Sequence, residues 1–554
     1  MTKKSIHFLT LVIIFSATCG ISSQNFSLDL LSTRSIENKF LSKVKYQKIH
    51  LDSLDLYNEI NRIQKLIKLN GYFLSSIDSS IFKNKTYKVY FNLNKKVDSV
   101  ALKYTNLPNF IIERYPFKKN HLEIPVNQLE IVLNKIIDSY ERKGNAFSKI
   151  KLENFKIKGK TLFTEIRFTT SKKRKIDKLI FKGYDDFPKS FIKNYLNISS
   201  NTIFNKKKLA EISKLSKTLG FASEIKLPET LFTKDSTFIY VYLKKKKGSS
   251  FDGLINFASQ ENGKLQFNGY LNLKLKNILN RGESFNLLWN SFGSERQEFS
   301  LAAKTPYIFN SKVSPEFAFS IYKQDSTFLN TKLNTALKYQ IRNNSNLFVS
   351  FSSENSENLT NASLDNISTF QNYFLGFGYE YKVPKNDVFG NNTFYLNVNP
   401  SFGRRKTDTN SFQQIKITTT ASYLLDFNTR HHIYFSNKTG LLNSENYLNN
   451  ELFRIGGNKT IRGFKEQSLF VKNYILQNIE YRYNTSKNSY AYTITDLALI
   501  SSEKEHKKLY SLGLGYLFNT NTSQINISTA IGIDIDNPIN FKNTLFFVNW
   551  ISFF

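Results

Sequence analysis

Residues capable of covalent chemistry are few in this chain and stand apart. The 554 residues include six histidines and one cysteine, Cys19. The histidines are scattered, and no nucleophile–base arrangement and no metal-ligand spacing appears. The pattern implies no catalytic residue, no metal and no cofactor, and it speaks against an enzyme. A different chemistry is offered by Phe453-Arg454-Ile455-Gly456-Gly457-Asn458-Lys459-Thr460-Ile461-Arg462-Gly463-Phe464. A guanidinium set among glycines is equipped for bidentate pairing with a carboxylate. The glycines let the backbone turn tightly and pass close to a neighbouring wall.

The elements that position this arginine follow from composition. Phe and Tyr number 50 and 30, and aromatic residues make up 15%, yet mean hydropathy is −0.36. No run after the N-terminus approaches the ~18 apolar residues of a membrane helix. A barrel strand needs only about 10 residues with every second one apolar, so its mean hydropathy stays modest.

Residues 1–23 read as a signal peptide: Lys3 and Lys4 at the start, an apolar stretch from Phe8 to Ala17, and a small-polar exit at Ser22-Ser23-Gln24. Cys19 lies inside this segment, and Ser16-Ala17-Thr18 before it lacks the leucine three places upstream that marks a lipid-attachment cysteine. The mature chain then carries no thiol. Of the net charge of +33, +26 falls in the first 250 residues. Such a basic arm could lie near anionic head groups, or it could be a solvated Lys-rich bias. An exported chain rarely meets nucleic acid, so no nucleic-acid partner is expected.

Within the arm a pattern recurs: an amphipathic helix, a glycine closely followed by an aromatic residue, then two strands. The first helix, near Leu54 to Leu69, places Leu56, Ile60, Ile63 and Ile67 on one face and ends at Asn70-Gly71-Tyr72. The second, near Val126 to Arg142, ends at Gly144 ahead of Phe147; the third, near Lys207 to Leu219, ends at Gly220-Phe221. These glycines lie 73 and 76 residues apart, and a near-constant period means repeated domains. A new strand opens each later unit, near Val97 to Tyr104 and Ile176 to Phe181. The β-α-α-β-β order resembles the polypeptide-transport-associated (POTRA) domain, and the units fall at 24–96, 97–174 and 175–247. In the domains it resembles, an exposed edge strand takes up client peptides by β-addition.

From residue 248 to 554 the texture becomes one of alternation, as in Leu265 to Lys276 and Ile525 to Asp536. Period two gives each strand one apolar and one wet face, which a soluble sandwich would also show. The leader, the number of strands and the aromatic content favour an all-β transmembrane barrel. At roughly 19 residues per strand and turn, this length holds about 16 antiparallel strands. The fold class is thus α+β repeats followed by a barrel in the outer membrane of a Gram-negative bacterium, with the arm in the periplasm. The polar stretch Ser352 to Asn372 reads as extracellular loop.

The Gly456-Gly457, then Arg462-Gly463-Phe464 pattern resembles the signature of the BamA/TamA superfamily of POTRA-plus-barrel proteins. Asn280-Arg281-Gly282-Glu283 is similar to a turn early in their barrels, and the terminal strand with Trp550 and Phe554 resembles the signal read by barrel-assembly machinery. In that family the signature sits on an extracellular loop folded into the lumen, where its arginine meets acidic residues on later strands. The resemblance implies Glu480 and Asp496 as partners of Arg462. Alternation around Ile475, Ile479, Tyr481 and Tyr483 leaves Glu480 and Arg482 inward; the parity of Asp496 is less clear. The family function would be assembly and insertion, or translocation, of unfolded outer-membrane or secreted proteins. The first strand (Phe251 to Ala258) and the last (Thr544 to Phe554) would pair weakly enough to open. Outer-membrane lipid and periplasmic or inner-membrane accessory proteins are the other expected partners. Alternatives are a two-partner secretion transporter, which usually carries two arm domains and a plug helix, and a passive porin, which leaves the arm unexplained.

Overall fold

The computed structural model describes residues 26–104, 117–118, 121–259, 265–292, 296–360, 366–503, 505–535, 541 and 544–554. The expected leader and Cys19 lie outside them. The chain divides into two compact units, the first holding residues up to Arg174 with Ile203–Lys206, the second holding the remainder to Phe554.

In the first unit, β1 (Phe26–Leu31), α1 (Ser35–Leu41), β2 (Ile49–His50), α2 (Ser53–Leu69), β3 (Ser76–Lys83) and β4 (Thr86–Asn92) form a domain whose sheet has the order β2-β1-β4-β3. Helix α2 starts where the Asp52 side chain accepts the Asp55 N–H at 2.7 Å, an N-cap that satisfies an orphan donor. Leu56, Ile60, Ile63 and Ile67 are its buried face, packed against Leu28, Val89 and Phe91. Beyond it Gly71 adopts φ +98° and its carbonyl accepts the Val97 N–H at 2.9 Å.

The second domain contains β5 (Ser99–Lys103), β6 (Phe117–Lys118), β7 (His121–Pro125), α3 (Leu129–Arg142), β8 (Lys149–Lys158) and β9 (Thr161–Thr169), with sheet order β6-β7-β5-β9-β8. The β6–β7 hairpin departs from the repeated pattern. Leu122 and Ile124, spaced by two, are fully buried beside Val100 and Leu102, so the short alternation of His121–Pro125 covers the edge that β5 would otherwise leave open.

The second unit opens with β10 (Lys178–Lys182), α4 (Lys189–Asn194), α5 (Lys206–Lys217), β11 (Ala222–Phe232) and β12 (Thr237–Lys245), in sheet order β10-β12-β11. Parallel pairs β1–β4, β5–β9 and β10–β12 mark the three domains as versions of one topology. The closing glycine is not equivalent in all three: Gly71 and Gly144 are left-handed, Gly220 is not. Here α5 ends three residues earlier, at Lys217, so Gly220 belongs to the connection into β11 rather than to a helix cap.

Among the described residues sixteen strands then close a barrel. They begin with β13 (Ser250–Ser259), β14 (Leu265–Lys276), β15 (Ser284–Phe292), β16 (Arg296–Lys304), β17 (Val313–Gln324) and β18 (Phe328–Arg342). They continue with β19 (Ser345–Asn358), β20 (Phe370–Pro384), β21 (Asn392–Lys406), β22 (Ser411–Asp426) and β23 (His431–Ser444). A hairpin of β24 (Phe453–Ile455) and β25 (Leu469–Val471) interrupts the series, which ends with β26 (Asn473–Ser486), β27 (Ser489–Ser501), β28 (His506–Asn519), β29 (Ser523–Asp534) and β30 (Leu545–Phe553).

Outward residues are apolar, as in Tyr373, Leu375 and Phe377 of β20 or Phe546, Val548 and Trp550 of β30. A closed barrel with an apolar outer wall is a membrane-spanning one. The stretch expected as loop, Ser352 to Asn372, is strand at its two ends, because β19 runs to Asn358 and β20 starts at Phe370; the connection between them is shorter than expected. Glu354 and Ser356 of β19 face the lumen: Ser356 Oγ donates to Asn330 Oδ1 at 2.6 Å, and Glu354 Oε1 accepts from Asn330 Nδ2 at 3.0 Å.

The third domain is joined to the barrel at the turn between β14 and β15. Glu283 accepts the N–H groups of Leu279 (2.6 Å) and Arg281 (3.0 Å), and Asn277 Oδ1 accepts that of Gly282 (2.7 Å). Gly282, at φ +77°, lies against the Phe191 ring where a Cβ would overlap. Asn277 Nδ2 donates to Tyr184 Oη at 2.5 Å, and Gln340 Nε2 to the Asn194 carbonyl at 2.9 Å.

Candidate functional site

Between β23 and β26 the chain leaves the wall, turns at Asn449–Glu451, forms the β24–β25 hairpin and returns. The tip of this hairpin carries the glycine-flanked arginine. Three left-handed glycines shape it: Gly456 (φ +117°), Gly457 (φ +89°) and Gly463 (φ +81°). A Cβ on Gly463 would overlap the backbone of Ile531 and Gly532 in β29, and one on Gly532 would strike the Gly463 carbonyl and the Phe464 ring. The tip therefore rests on the inner wall at a point where two glycines permit backbone-to-backbone approach. Thr460 braces it, its hydroxyl accepting the Gly456 N–H and donating to the Gly456 carbonyl, both at 2.8 Å. Ile461 is fully buried in a cluster with Leu476, Ala498, Ile500 and Leu509 from β26, β27 and β28.

Arg462 is 6% exposed. Its backbone N–H and Nε both donate to Asp496 Oδ2 at 2.9 Å, and Nη2 donates to Asp496 Oδ1 at 2.5 Å. Nη1 donates to Glu480 Oε1 at 2.5 Å. The other Glu480 oxygen accepts from Arg482 Nε at 2.8 Å. Two guanidinium groups and two carboxylates thus form one buried, charge-balanced network, the condition under which buried ions are tolerated. Asn478 Nδ2 adds a bond to the Thr460 carbonyl at 2.9 Å. Inward placement of Glu480 and Arg482 on β26 follows the strand alternation, and Asp496 lies on the inner face of β27 with Ile494 and Ala498.

Sequence reasoning missed a second anchor on the ascending limb of the same segment. Arg405 Nη1 bonds Glu451 Oε1, and both side chains are 1% exposed. Gln414 Nε2 donates to Glu451 Oε2 at 2.9 Å, and Asn450 Nδ2 donates to Ser356 Oγ at 2.7 Å. The available signal was strand parity on β21, which turns Arg405 inward, together with a lone Glu451 shortly before the glycines.

The barrel seam lies elsewhere. Among the described residues β13 and β30 pair at two positions, Ser250↔Phe553 and Phe251↔Ser552, whereas β29 and β30 pair from Ser523↔Ser552 to Ala530↔Leu545. A bond from the Phe554 N–H to the Ser249 carbonyl, 3.0 Å, closes the end of the seam. Trp550 and Phe554 are 59% and 56% exposed; neither is part of the arginine network.

No family model matches the chain, and no curated protein matches it. Solved structures do. CdiB from Escherichia coli is similar with a TM-score of 0.52 at 13% identity, over 89% of this chain and 97% of that one. CdiB from Acinetobacter baumannii is similar with a TM-score of 0.50 at 14% identity, over 90% of this chain and 97% of that one. BamA from Haemophilus ducreyi lacking POTRA domains 1–3 aligns over 83% of this chain and all of that one at 13% identity, with a TM-score of 0.48. At these identities the likeness is one of fold, and the coverage of the two CdiB structures extends it through the α/β domains as well as the barrel: the chain has the expected fold of α/β repeats followed by a sixteen-stranded barrel.

Proposed function

We propose that the protein inserts or translocates polypeptides at the outer membrane, taking unfolded clients at its α/β domains and handling them with the barrel. The observation that carries this reading is the seam. Among the described residues, a barrel wall elsewhere zipped over eight or more positions is closed between its first and last strands by two, while a separately anchored hairpin occupies the lumen. Among the described residues, the rest of β13 and β30 carries no ladder pair across the seam, and such backbone is a template for another strand. The edge strands β3, β8 and β11 add receiving surfaces, with Phe82, Phe155 and Ile225 exposed on them. A passive porin has no use for such edges, and none of these features calls for an enzyme.

Insertion through the seam and export of a dedicated partner through the lumen are separated by one experiment. The only cysteine is Cys19, so Ser250→Cys with Phe553→Cys gives a pair that can be crosslinked across the seam. A census of outer-membrane and secreted proteins follows, in cells relying on the locked variant. Loss of outer-membrane proteins, reversed by reductant, supports seam opening. Normal outer-membrane content with one secreted protein missing favours export. Normal levels of everything under a complete lock refute the proposal.

A further inference from the structure

The lumen is also obstructed from the end at which the chain enters and leaves the barrel. The turn joining β20 to β21, residues 385–391, folds inward. In barrel order β22, β23 and β26 lie between β21 and β27, yet Phe389 of this turn packs edge-on against Tyr490 of β27, ring centroids 4.8 Å apart at 83°. The turn must therefore reach across the curve of the wall. Asp387 shapes it, accepting the N–H groups of Phe389 and Asn391 at 3.1 Å each, an Asx-type turn. Asn519 Nδ2 donates to the Val388 carbonyl at 2.8 Å.

Both obstructions meet at one side chain. Arg482 Nη1 donates to Asn391 Oδ1 at 3.1 Å, while Nε donates to Glu480 Oε2 at 2.8 Å. Its guanidinium carbon also stands 5.1 Å from the Tyr490 ring that Phe389 covers, and 4.2 Å from the Tyr434 ring. We propose that Arg482 is a positioning residue that couples the inward turn 385–391 to the arginine-bearing hairpin through Glu480. A polypeptide segment entering at the turn must displace Phe389 from Tyr490 and Asn391 from Arg482. Either displacement leaves Arg482 with fewer partners and alters the pair that fixes Arg462. Coupling of this kind is reciprocal. The functional use of the coupling rests on the reading above; its existence does not.

Hydrogen–deuterium exchange on the purified full chain, without client, tests it. Asn391→Ala is expected to raise exchange several-fold at residues 456–463, and Arg462→Lys to raise it several-fold at residues 385–391. In an Arg482→Met background neither second substitution adds a further change at the opposite site. Arg482→Lys, which reaches one partner at a time, gives the intermediate case and guards against simple misfolding, with protection across β17 to β19 as the folding control. If Asn391→Ala and Arg462→Lys each act only on their own segment while those strands stay protected, the turn and the hairpin are independent and the proposal fails. Because no client is involved, that failure leaves the insertion or translocation reading intact.

Discussion

Asp496 receives three donors from Arg462: the backbone N–H, Nε and Nη2. A side-chain fork alone would fix the guanidinium; the added main-chain bond fixes the backbone of the hairpin tip on β27. Asp496 is fully buried, so losing its partner leaves a charge with neither water nor cation. Arg462→Ala is expected to destabilise docking of the tip by about 3–5 kcal/mol, enough to free it. The barrel ladders do not depend on it. A heat-modifiable barrel on semi-native gels, with sharply impaired client assembly or secretion, is the expected result. Full function in this variant would falsify the role given to the pair.

Gly463→Ala should act through shape rather than charge. A methyl group at φ +81° is strained, and here it also overlaps the β29 backbone at Ile531 and Gly532. With Arg462 and both carboxylates intact, the tip is still expected to leave the wall. Limited proteolysis should show new cleavage within residues 456–468, and the same substitution at Gly220, which is not left-handed and whose Cβ would meet nothing within 4 Å, should leave that segment resistant. Equal resistance of wild type and Gly463→Ala would show that the close approach is dispensable.

Much of this site was legible in the chain, for a physical reason. Glycines that must be left-handed and an arginine that must be paired constrain residue type more tightly than position, so Gly456, Gly457, Arg462 and Gly463 stood out. Glu480 could be placed inward because Ile475, Ile479 and Tyr481 mark the lipid side of β26. Asp496 resisted because its neighbours on the inner face, Ile494 and Ala498, are apolar: Ala498 packs with the hairpin's Ile461, and a wall covered by protein loses the wet-face pattern. The ends of Ser352 to Asn372 misled in the opposite sense, since lumen-facing residues such as Glu354 and Ser356 of β19 look like those of a loop. The Arg405–Glu451 pair and the Asn391–Arg482 bond join residues 46 and 91 positions apart. Their partners are set by barrel curvature, which no local pattern encodes.

Arg405 and Glu451 offer a test by double-mutant cycle. Either residue alone is a fully buried charge without its counterpart, so Arg405→Met or Glu451→Gln should each cost about 3–5 kcal/mol of hairpin docking. The double variant replaces the pair with groups of similar size and should cost clearly less than the sum, the signature of direct coupling. Exchange protection of residues 449–455 is the readout. Additive losses would mean that the two residues stabilise the structure separately.

Acid sensitivity of the first α/β domain turns on Glu37. Burial raises its carboxyl pKa, but the Leu93 N–H at 3.0 Å, the Ser32 hydroxyl at 2.7 Å and Arg34 outweigh that and hold it below the ordinary carboxylate value. A folded-state value lower than the unfolded one means that the unfolded chain binds the proton more readily. The contribution to stability is therefore complete above the unfolded value, about 4.3, and fades as pH falls through the folded one. Glu37→Gln should lower the melting temperature of this domain in the whole chain near neutral pH and flatten its dependence on pH below about 5. The Leu93 N–H is the bond at stake. Joining the residue after β4 to α1, it is weakened on protonation in the wild type and at every pH in the variant. Parallel melting curves of the two proteins between pH 3 and 7 would assign the acid response to another group.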